Sequence, residues 1–232
     1  MSNLRTKGFK WITFWREDSV GVIVIKATSD GMIADEALPE LFVALTTAAT
    51  DDQVKSVALT GQNMTFLKGI IYDKSSVIEM LDSARALVSV AVTIEKPIYS
   101  VVNGTCTDFG YELALLGDCI IAHGGCDIGF SRDYRFIMAG SVTSRRFSPF
   151  KVEKAEAGKN VDFVVPADNL LGDSKTMIET LNMLSRANNR RIIMAADVRN
   201  ALLAEHYDLM KREFRSMLNS DQEEVSVKMG GS

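Results

Sequence analysis

The sequence lacks the features that mark membrane, nucleic-acid-binding and secreted proteins. No uninterrupted apolar run approaches the roughly 18 residues that a membrane-spanning helix requires. The 26 basic and 30 acidic side chains give a net charge of -4, whereas a dedicated nucleic-acid-binding protein carries a strong basic excess. No uncharged apolar segment follows the basic residues at the N-terminus, so no signal peptide is predicted. These absences predict a soluble, cytoplasmic protein.

Cysteine and histidine are scarce as well. Cys106, Cys119 and Cys126 form no CxxC pair and have no spacing typical of a metal site, so we interpret them as small buried apolar side chains. Only Cys106 lies close to a helix start, the kind of place that can lower the pKa of a thiol. The chain has two histidines, His123 and His206, so a metal site built on histidine is not expected.

Several common catalytic motifs are missing. The sequence contains no GxGxxG, no GxxxxGK[ST], no GxSxG and no HExxH. Dinucleotide-binding, P-loop, serine-hydrolase and zinc-protease functions therefore have no motif to support them.

The hydrophobic residues, 47% of the chain, are arranged in alternating strand-like and helix-like segments. Short runs rich in β-branched residues predict buried strands, and apolar residues at helical spacing predict amphipathic helices. The predicted strands cover 10–16, 20–25, 54–60, 98–102, 119–122 and 161–165, and the predicted helices cover 34–49, 75–94, 110–116, 170–186 and 192–218. Strands that are apolar throughout indicate a parallel sheet covered on both faces. We predict an α/β core to residue 187 and a helical extension over 188–232.

The most informative stretch is 95–118, which predicts a strand, a loop and a short helix with an acidic residue in its first turns. The N-terminus of a helix offers unpaired N–H groups that suit a developing oxyanion. Glu112 shares its helix face with Leu115 and Leu116, an apolar setting that is expected to raise its pKa and favour acid/base chemistry. A capping box would need a cap at Phe109, which cannot serve, but a solvated surface glutamate stays possible.

The same stretch contains Lys96-Pro97, Asn103-Gly104, Glu112-Leu113-Ala114 and Asp118 in this order. This pattern resembles that of the enoyl-CoA hydratase/isomerase (crotonase) superfamily. The resemblance extends to 51–61, to Phe66-Leu67-Lys68-Gly69, to 145–166 and to Ser220-Asp221 with Glu223. It implies a crotonase-like (ClpP/crotonase) fold of repeated β-β-α units, an α/β class, with a C-terminal helical extension of the trimerisation type.

The resemblance also implies acyl-CoA thioester chemistry, with coenzyme A as part of the substrate and no other cofactor. Family members hold the thioester oxygen with two backbone N–H groups, which by position are those of Lys68 and Phe109. Glu112 takes the place of one catalytic carboxylate. The implied substrate-binding positions are Phe66, Lys68, Gly69 and Gly110. A homotrimer or homohexamer is the expected assembly.

The sequence departs from the family pattern at several of these positions. Asp108 and Phe109 stand where glycines are usual, Ile71 replaces an aspartate, and the segment after Asp133 is short. Arg132 occupies the position of the second catalytic glutamate, so Asp133 is the nearest carboxylate that could replace it.

Each of these departures leaves a choice open. Asp133 has a second interpretation as a turn residue, and the Lys68 ammonium either pairs with a CoA phosphate or is solvated. The leading hypothesis is an enoyl-CoA hydratase or isomerase. The alternatives are an inactive paralogue that binds CoA or a partner subunit, and an acyl-CoA hydrolase or decarboxylase with one carboxylate.

Overall fold

The computed structural model describes residues 8–138, 148–154, 157–184 and 212. Its strands, in chain order, are β1 (Ile12–Glu17), β2 (Val20–Ile25), β3 (Met32–Ala34), β4 (Ser56–Gly61), β5 (Thr65–Leu67), β6 (Gly69–Ile71), β7 (Ile98–Val102), β8 (Thr105–Thr107), β9 (Cys119–His123), β10 (Asp127–Gly129), β11 (Phe150–Lys151) and β12 (Phe163–Val165). Its α-helices are α1 (Ala37–Thr50), α2 (Val77–Thr93), α3 (Phe109–Ala114) and α4 (Leu170–Leu184). A 3-10 turn, Lys74–Ser76, precedes α2.

The main sheet has six strands in the order β1-β2-β4-β7-β9-β12. All neighbours are parallel except β1 and β2, which form an antiparallel hairpin. Every residue of β4 and β7 is buried, as expected for central strands covered on both faces. The prediction of a parallel sheet from continuous apolar runs is therefore confirmed.

Side chains of the central strands alternate between two hydrophobic clusters, because successive residues of a strand point to opposite faces. In β4, Val57 and Leu59 belong to the larger cluster, which also includes the apolar residues of α1 and α2. Ala58 belongs to the smaller cluster, where Leu170 and Ile178 of α4 pack. The sheet is thus enclosed by α1 and α2 on one face and by α4 on the other.

A second layer of short strands follows the carboxyl ends of β4 and β7. It consists of a four-stranded sheet in the order β11-β10-β8-β5 and a β3-β6 pair. The layer is close to α3: a Cβ at Gly110 would lie 2.0 Å from the carbonyl oxygen of Leu67. Only glycine allows the start of α3 to approach β5 so closely. The loop, the second layer and the helix predicted to carry the site are therefore packed as one unit.

The C-terminal predictions are tested only in part. The helix predicted over 170–186 is present as α4, whose described residues end at Leu184. The helix predicted over 192–218 and the extension over 188–232 lie outside the described residues, apart from Arg212. The domain boundary at 187 stays a prediction. Across the described ranges, no helix is both long enough and apolar enough to cross a membrane.

Candidate active site

Glu112 lies in α3 with only 1% of its surface exposed. Its Oε2 accepts the Tyr134 hydroxyl at 2.6 Å and the backbone N–H of Ile137 at 2.8 Å, and the N–H of Met138 is shared by both carboxylate oxygens at 3.1 Å. The predicted burial of Glu112 is confirmed, and a solvated surface glutamate is excluded. The sequence predicts an apolar setting for this carboxylate and none of its partners. The structure shows three hydrogen-bond donors to the carboxylate, which offset the free-energy cost of burying its charge.

The start of α3 is built on an unusual backbone conformation at Asp108. Its φ is 52° and its ψ is -119°, a region that residues with a Cβ rarely adopt. The Asp108 carboxylate accepts the backbone N–H of Ser131 at 2.6 Å, and its carbonyl accepts the N–H of Glu112 at 3.0 Å. The position where the family has glycine thus keeps a glycine-like conformation, stabilised here by the side chain of Asp108.

Phe109 is the first residue of α3, and its side chain is fully buried in the larger hydrophobic cluster. The phenyl ring therefore belongs to the core. A backbone N–H in the first turn has no acceptor within its own helix, so the Phe109 N–H is suited to hold an oxyanion. Its role as a donor to a thioester oxygen stays a prediction.

The Lys68 N–H is placed differently from the prediction. It donates to the carbonyl of Gly31 at 2.8 Å, directly before the parallel pair of β3 and β6. In this structure that N–H is engaged within the chain, and a role in an oxyanion hole would require the bond to open. The Lys68 side chain is exposed, and the Cγ of its aliphatic stem would lie 2.9 Å from a Cβ at Gly31.

The remaining predicted substrate positions surround these two segments. Phe66 in β5 is fully buried in the larger cluster, and Gly69 and Gly110 are buried as well. A Cβ at Gly69 would lie 2.6 Å from the Met32 side chain. These residues shape the loop and its contact with α3, and their contact with a substrate stays a prediction.

Asp133 is an exposed residue in the turn after β10, as is its neighbour Arg132. Among the described residues, Asp133 forms no hydrogen bond with Glu112, whereas the Tyr134 hydroxyl does. Asp133 is therefore not placed as a buried second carboxylate. Residues 139–147, which follow, contain no Asp or Glu.

Sequence reasoning did not identify Tyr134 as part of the site. Its ring stacks on Phe130 with centroids 5.5 Å apart and meets Phe136 edge-on at 5.6 Å. Burial, and next the nearby Glu112 carboxylate, raise the pKa of Tyr134 far above its usual value. The sequence feature that points to Tyr134 is a group of three aromatic residues within 130–136, close to the predicted position of the second carboxylate.

Other residues of the family signature stabilise the fold. Asn103 donates its side-chain N–H to the carbonyl of Gly61 at 2.7 Å, which links the ends of β7 and β4. The Asp118 carboxylate accepts the backbone N–H of Ile98 at 2.9 Å and so links the residue before β9 to the first residue of β7. The family signature thus contains two kinds of residue: Asn103 and Asp118 position the loops, and Glu112 is the candidate catalytic carboxylate.

The cysteines agree with the interpretation as packing residues. Cys106 and Cys126 are buried, Cys119 is partly buried, and all three are free thiols. Burial raises the pKa of each thiol, and that of Cys126 reaches about 11. Within the described ranges, no group of three or more His, Cys, Asp or Glu side chains comes together that could hold a metal ion.

Comparison with known proteins identifies the family. A sequence model described as enoyl-CoA hydratase/isomerase matches residues 16–133, which is half of the chain and includes the helix with Glu112. The chain belongs to the enoyl-CoA hydratase/isomerase family. Membership supports acyl-CoA thioester chemistry, and hence an enzyme, at the level of the family. A comparison with curated proteins returns no match.

Solved structures support the crotonase fold. A probable enoyl-CoA hydratase from Mycobacterium smegmatis superposes with a TM-score of 0.71 at 20% identity, over 91% of this chain and 98% of that chain. An enoyl-CoA hydratase subunit I from Geobacillus kaustophilus gives 0.69 at 20% identity, over 95% of both chains. An enoyl-CoA hydratase from Bacillus anthracis gives 0.69 at 17% identity, over 89% and 90%. The predicted crotonase-like α/β fold is confirmed.

Proposed function

We propose that this chain catalyses proton transfer on acyl-CoA thioesters, as an enoyl-CoA isomerase that uses Glu112 as its single carboxylate. The observation that carries the proposal is that Glu112 is the one buried acidic side chain in the part of the chain that the structure describes. It lies in the first turn of α3, three residues after the Phe109 N–H that is suited to an oxyanion. Base and donor therefore belong to the same short helix.

A single carboxylate is sufficient for isomerisation, because the group that removes the proton also returns it. The Glu112 carboxylate takes a proton from the α-carbon of an acyl-CoA whose double bond lies between the β- and γ-carbons. The electron pair moves to the thioester oxygen, where the Phe109 N–H stabilises the negative charge. The protonated Glu112 then returns the proton to the γ-carbon, which leaves the double bond between the α- and β-carbons.

Hydration fits this chain less well. Adding water requires a base that takes a proton from water and an acid that protonates the α-carbon, roles that two carboxylates share in the family pattern. Arg132 occupies the second position, and Asp133 is exposed. We therefore propose the isomerase reaction ahead of the hydratase reaction.

The test compares two acidic residues with opposite surroundings. Short-chain 3-enoyl-CoA and 2-enoyl-CoA thioesters are offered to the wild type, to Glu112→Gln and to the control Asp133→Asn. We expect conversion of the 3-enoyl thioester, slowed about 100-fold to 10,000-fold by Glu112→Gln because a positioned base is lost. Asp133→Asn should leave the rate within about twofold, as expected of an exposed turn residue. An unchanged rate in Glu112→Gln would show that the role of Glu112 is wrong.

A second candidate is an acyl-CoA-binding protein without turnover. Two observations favour it: the Lys68 N–H is bound to Gly31, and the Glu112 carboxylate already accepts three donors. Titration calorimetry with a non-reactive acyl-CoA analogue distinguishes the two candidates when combined with the assay above. Binding without any conversion of the 3-enoyl or 2-enoyl thioester would favour the binding protein.

A further inference from the structure

We propose that Tyr134 is a positioning residue for Glu112, and this inference rests on the isomerase function proposed above. The Tyr134 hydroxyl donates to Glu112 Oε2 at 2.6 Å, a distance typical of a hydroxyl that donates to a charged carboxylate oxygen. A short bond from a hydroxyl to a charged oxygen is stronger than a bond between neutral groups. Tyr134 therefore fixes the orientation of the base.

The phenol ring is itself held in place. Phe130 stacks on it with an angle of 5° between the rings, and Phe136 meets it edge-on at 81°. Phe130 in turn contacts Tyr111 of α3, with centroids 4.9 Å apart. A ring packed on two sides has few rotamers open to it. Little further side-chain entropy is therefore lost when the Tyr134 hydroxyl donates to Glu112.

The backbone supports the same arrangement. The segment 131–138 is attached at two points: the Ser131 N–H donates to Asp108, directly before α3, and the N–H groups of Ile137 and Met138 donate to Glu112 in α3. Between these points the N–H of Tyr134 closes a turn on the carbonyl of Ser131 at 3.2 Å. Tyr134 thus lies in a loop whose two ends are fixed to the helix that carries the base and to the residue directly before that helix.

This arrangement has a consequence for the proton transfer. The hydroxyl hydrogen bond favours the charged carboxylate, which is the form that removes a proton from the α-carbon. The titratable groups that face Tyr134 are Glu112 in α3, Asp108 before α3 and Tyr72 after β6. Arg132, Asp133 and Arg135 are the charged neighbours of Tyr134 on its own segment, and all three residues are exposed.

The test replaces Tyr134 with phenylalanine, which removes the hydroxyl and keeps the ring. We expect kcat for the 3-enoyl thioester to fall at least about tenfold, with KM within about twofold, because the base loses its orientation. The acidic limb of the kcat profile should move to higher pH by about one unit, the change expected when a charged group loses one hydrogen bond. A residue that only supports the fold would not move this limb.

Two further variants make the test specific. Tyr99→Phe is the matched control, since Tyr99 is a buried tyrosine whose hydroxyl contacts Asn182 at 3.4 Å on the other face of the sheet. It should retain the wild-type profile. The double variant Glu112→Gln with Tyr134→Phe should be no slower than Glu112→Gln alone, because Tyr134 acts through Glu112.

The outcomes separate this inference from the proposed function. An active wild type whose pH profile is unchanged in Tyr134→Phe overturns the positioning role and leaves the isomerase function intact. Multiplied losses in the double variant overturn it too, because they would show that Tyr134 acts independently of Glu112. A wild type that converts no enoyl thioester overturns the proposed function, and the positioning role fails with it.

Discussion

Asp108 and Ser131 are joined by a 2.6 Å hydrogen bond between the Asp108 carboxylate and the Ser131 backbone N–H, although Asp108 has a φ of 52°. The Cβ of Asp108 makes this backbone conformation unfavourable, and the hydrogen bond of its carboxylate offsets part of that cost. A residue with a Cβ that is held in such a sparsely populated φ/ψ region costs about 1–3 kcal/mol relative to glycine. Loss of a hydrogen bond to a charged group costs about 1.5–3 kcal/mol.

Substitutions at Asp108 should separate these two contributions. Asp108→Ala loses the acceptor and keeps the strain, so we expect its free energy of unfolding to fall by about 1.5–3 kcal/mol. Asp108→Gly loses the acceptor but relieves the strain, so its free energy of unfolding should fall by about 1–3 kcal/mol less than that of Asp108→Ala. Urea unfolding followed by circular dichroism measures both. Equal losses in the two variants would contradict a strained backbone at this position.

The contact between Gly110 and Leu67 predicts a strict requirement for glycine in α3. A Cβ at Gly110 would lie 2.0 Å from a backbone oxygen, so Gly110→Ala should lower the free energy of unfolding by about 3 kcal/mol or prevent folding. Gly124→Ala is the control, since nothing lies within 4 Å of the added Cβ. It should change stability by less than about 0.5 kcal/mol. A tolerated Gly110→Ala would mean that α3 and β5 are further apart than described.

The buried thiols predict a pH dependence of stability. Burial raises the pKa of Cys126 from 9.0 to about 11, and that of Cys106 is raised too. Above pH 9 the unfolded chain loses these protons while the folded chain retains them. The free energy of unfolding should therefore fall as the pH rises from 9 to 11.

The same thiols should react slowly at pH 8 with a chromogenic disulfide reagent until urea unfolds the chain. Cys126→Ala provides the comparison, because it removes one of the buried titrating groups. A loss of stability between pH 9 and 11 as steep in this variant as in the wild type would argue against a contribution from Cys126. Rapid reaction of the native thiols would argue against their burial.

The sequence predicts the parts of this fold that depend on local pattern. The run at β2 predicts a buried strand because its residues are apolar and β-branched. The spacing around Glu112 predicts a helix on which Glu112 shares a face with apolar residues, but it leaves open whether the carboxylate is buried or solvated. The donors to Glu112 could not be predicted in this way. Tyr134, Ile137 and Met138 are 22 to 26 residues further along the chain and reach Glu112 only through the path of the loop after β10.

Of the two backbone N–H groups predicted to hold a thioester oxygen, one depends on local sequence pattern and the other on distant strand pairing. The position of Phe109 at the first turn of α3 follows from local pattern, whereas the engagement of the Lys68 N–H depends on the distant pairing of β3 with β6. A motif compared position by position identifies which residue occupies the loop. It does not show whether the backbone N–H of that residue is already bound to another strand.

The central claim is that Glu112 moves a proton at the α-carbon of an acyl-CoA thioester. The most direct measurement is the exchange of the α-hydrogens of a saturated acyl-CoA for deuterium in heavy water, followed by mass spectrometry. We predict exchange catalysed by the wild type and slowed at least about 100-fold in Glu112→Gln. A wild type that binds the thioester and exchanges no α-hydrogen, or a Glu112→Gln variant that exchanges at the wild-type rate, would contradict the account.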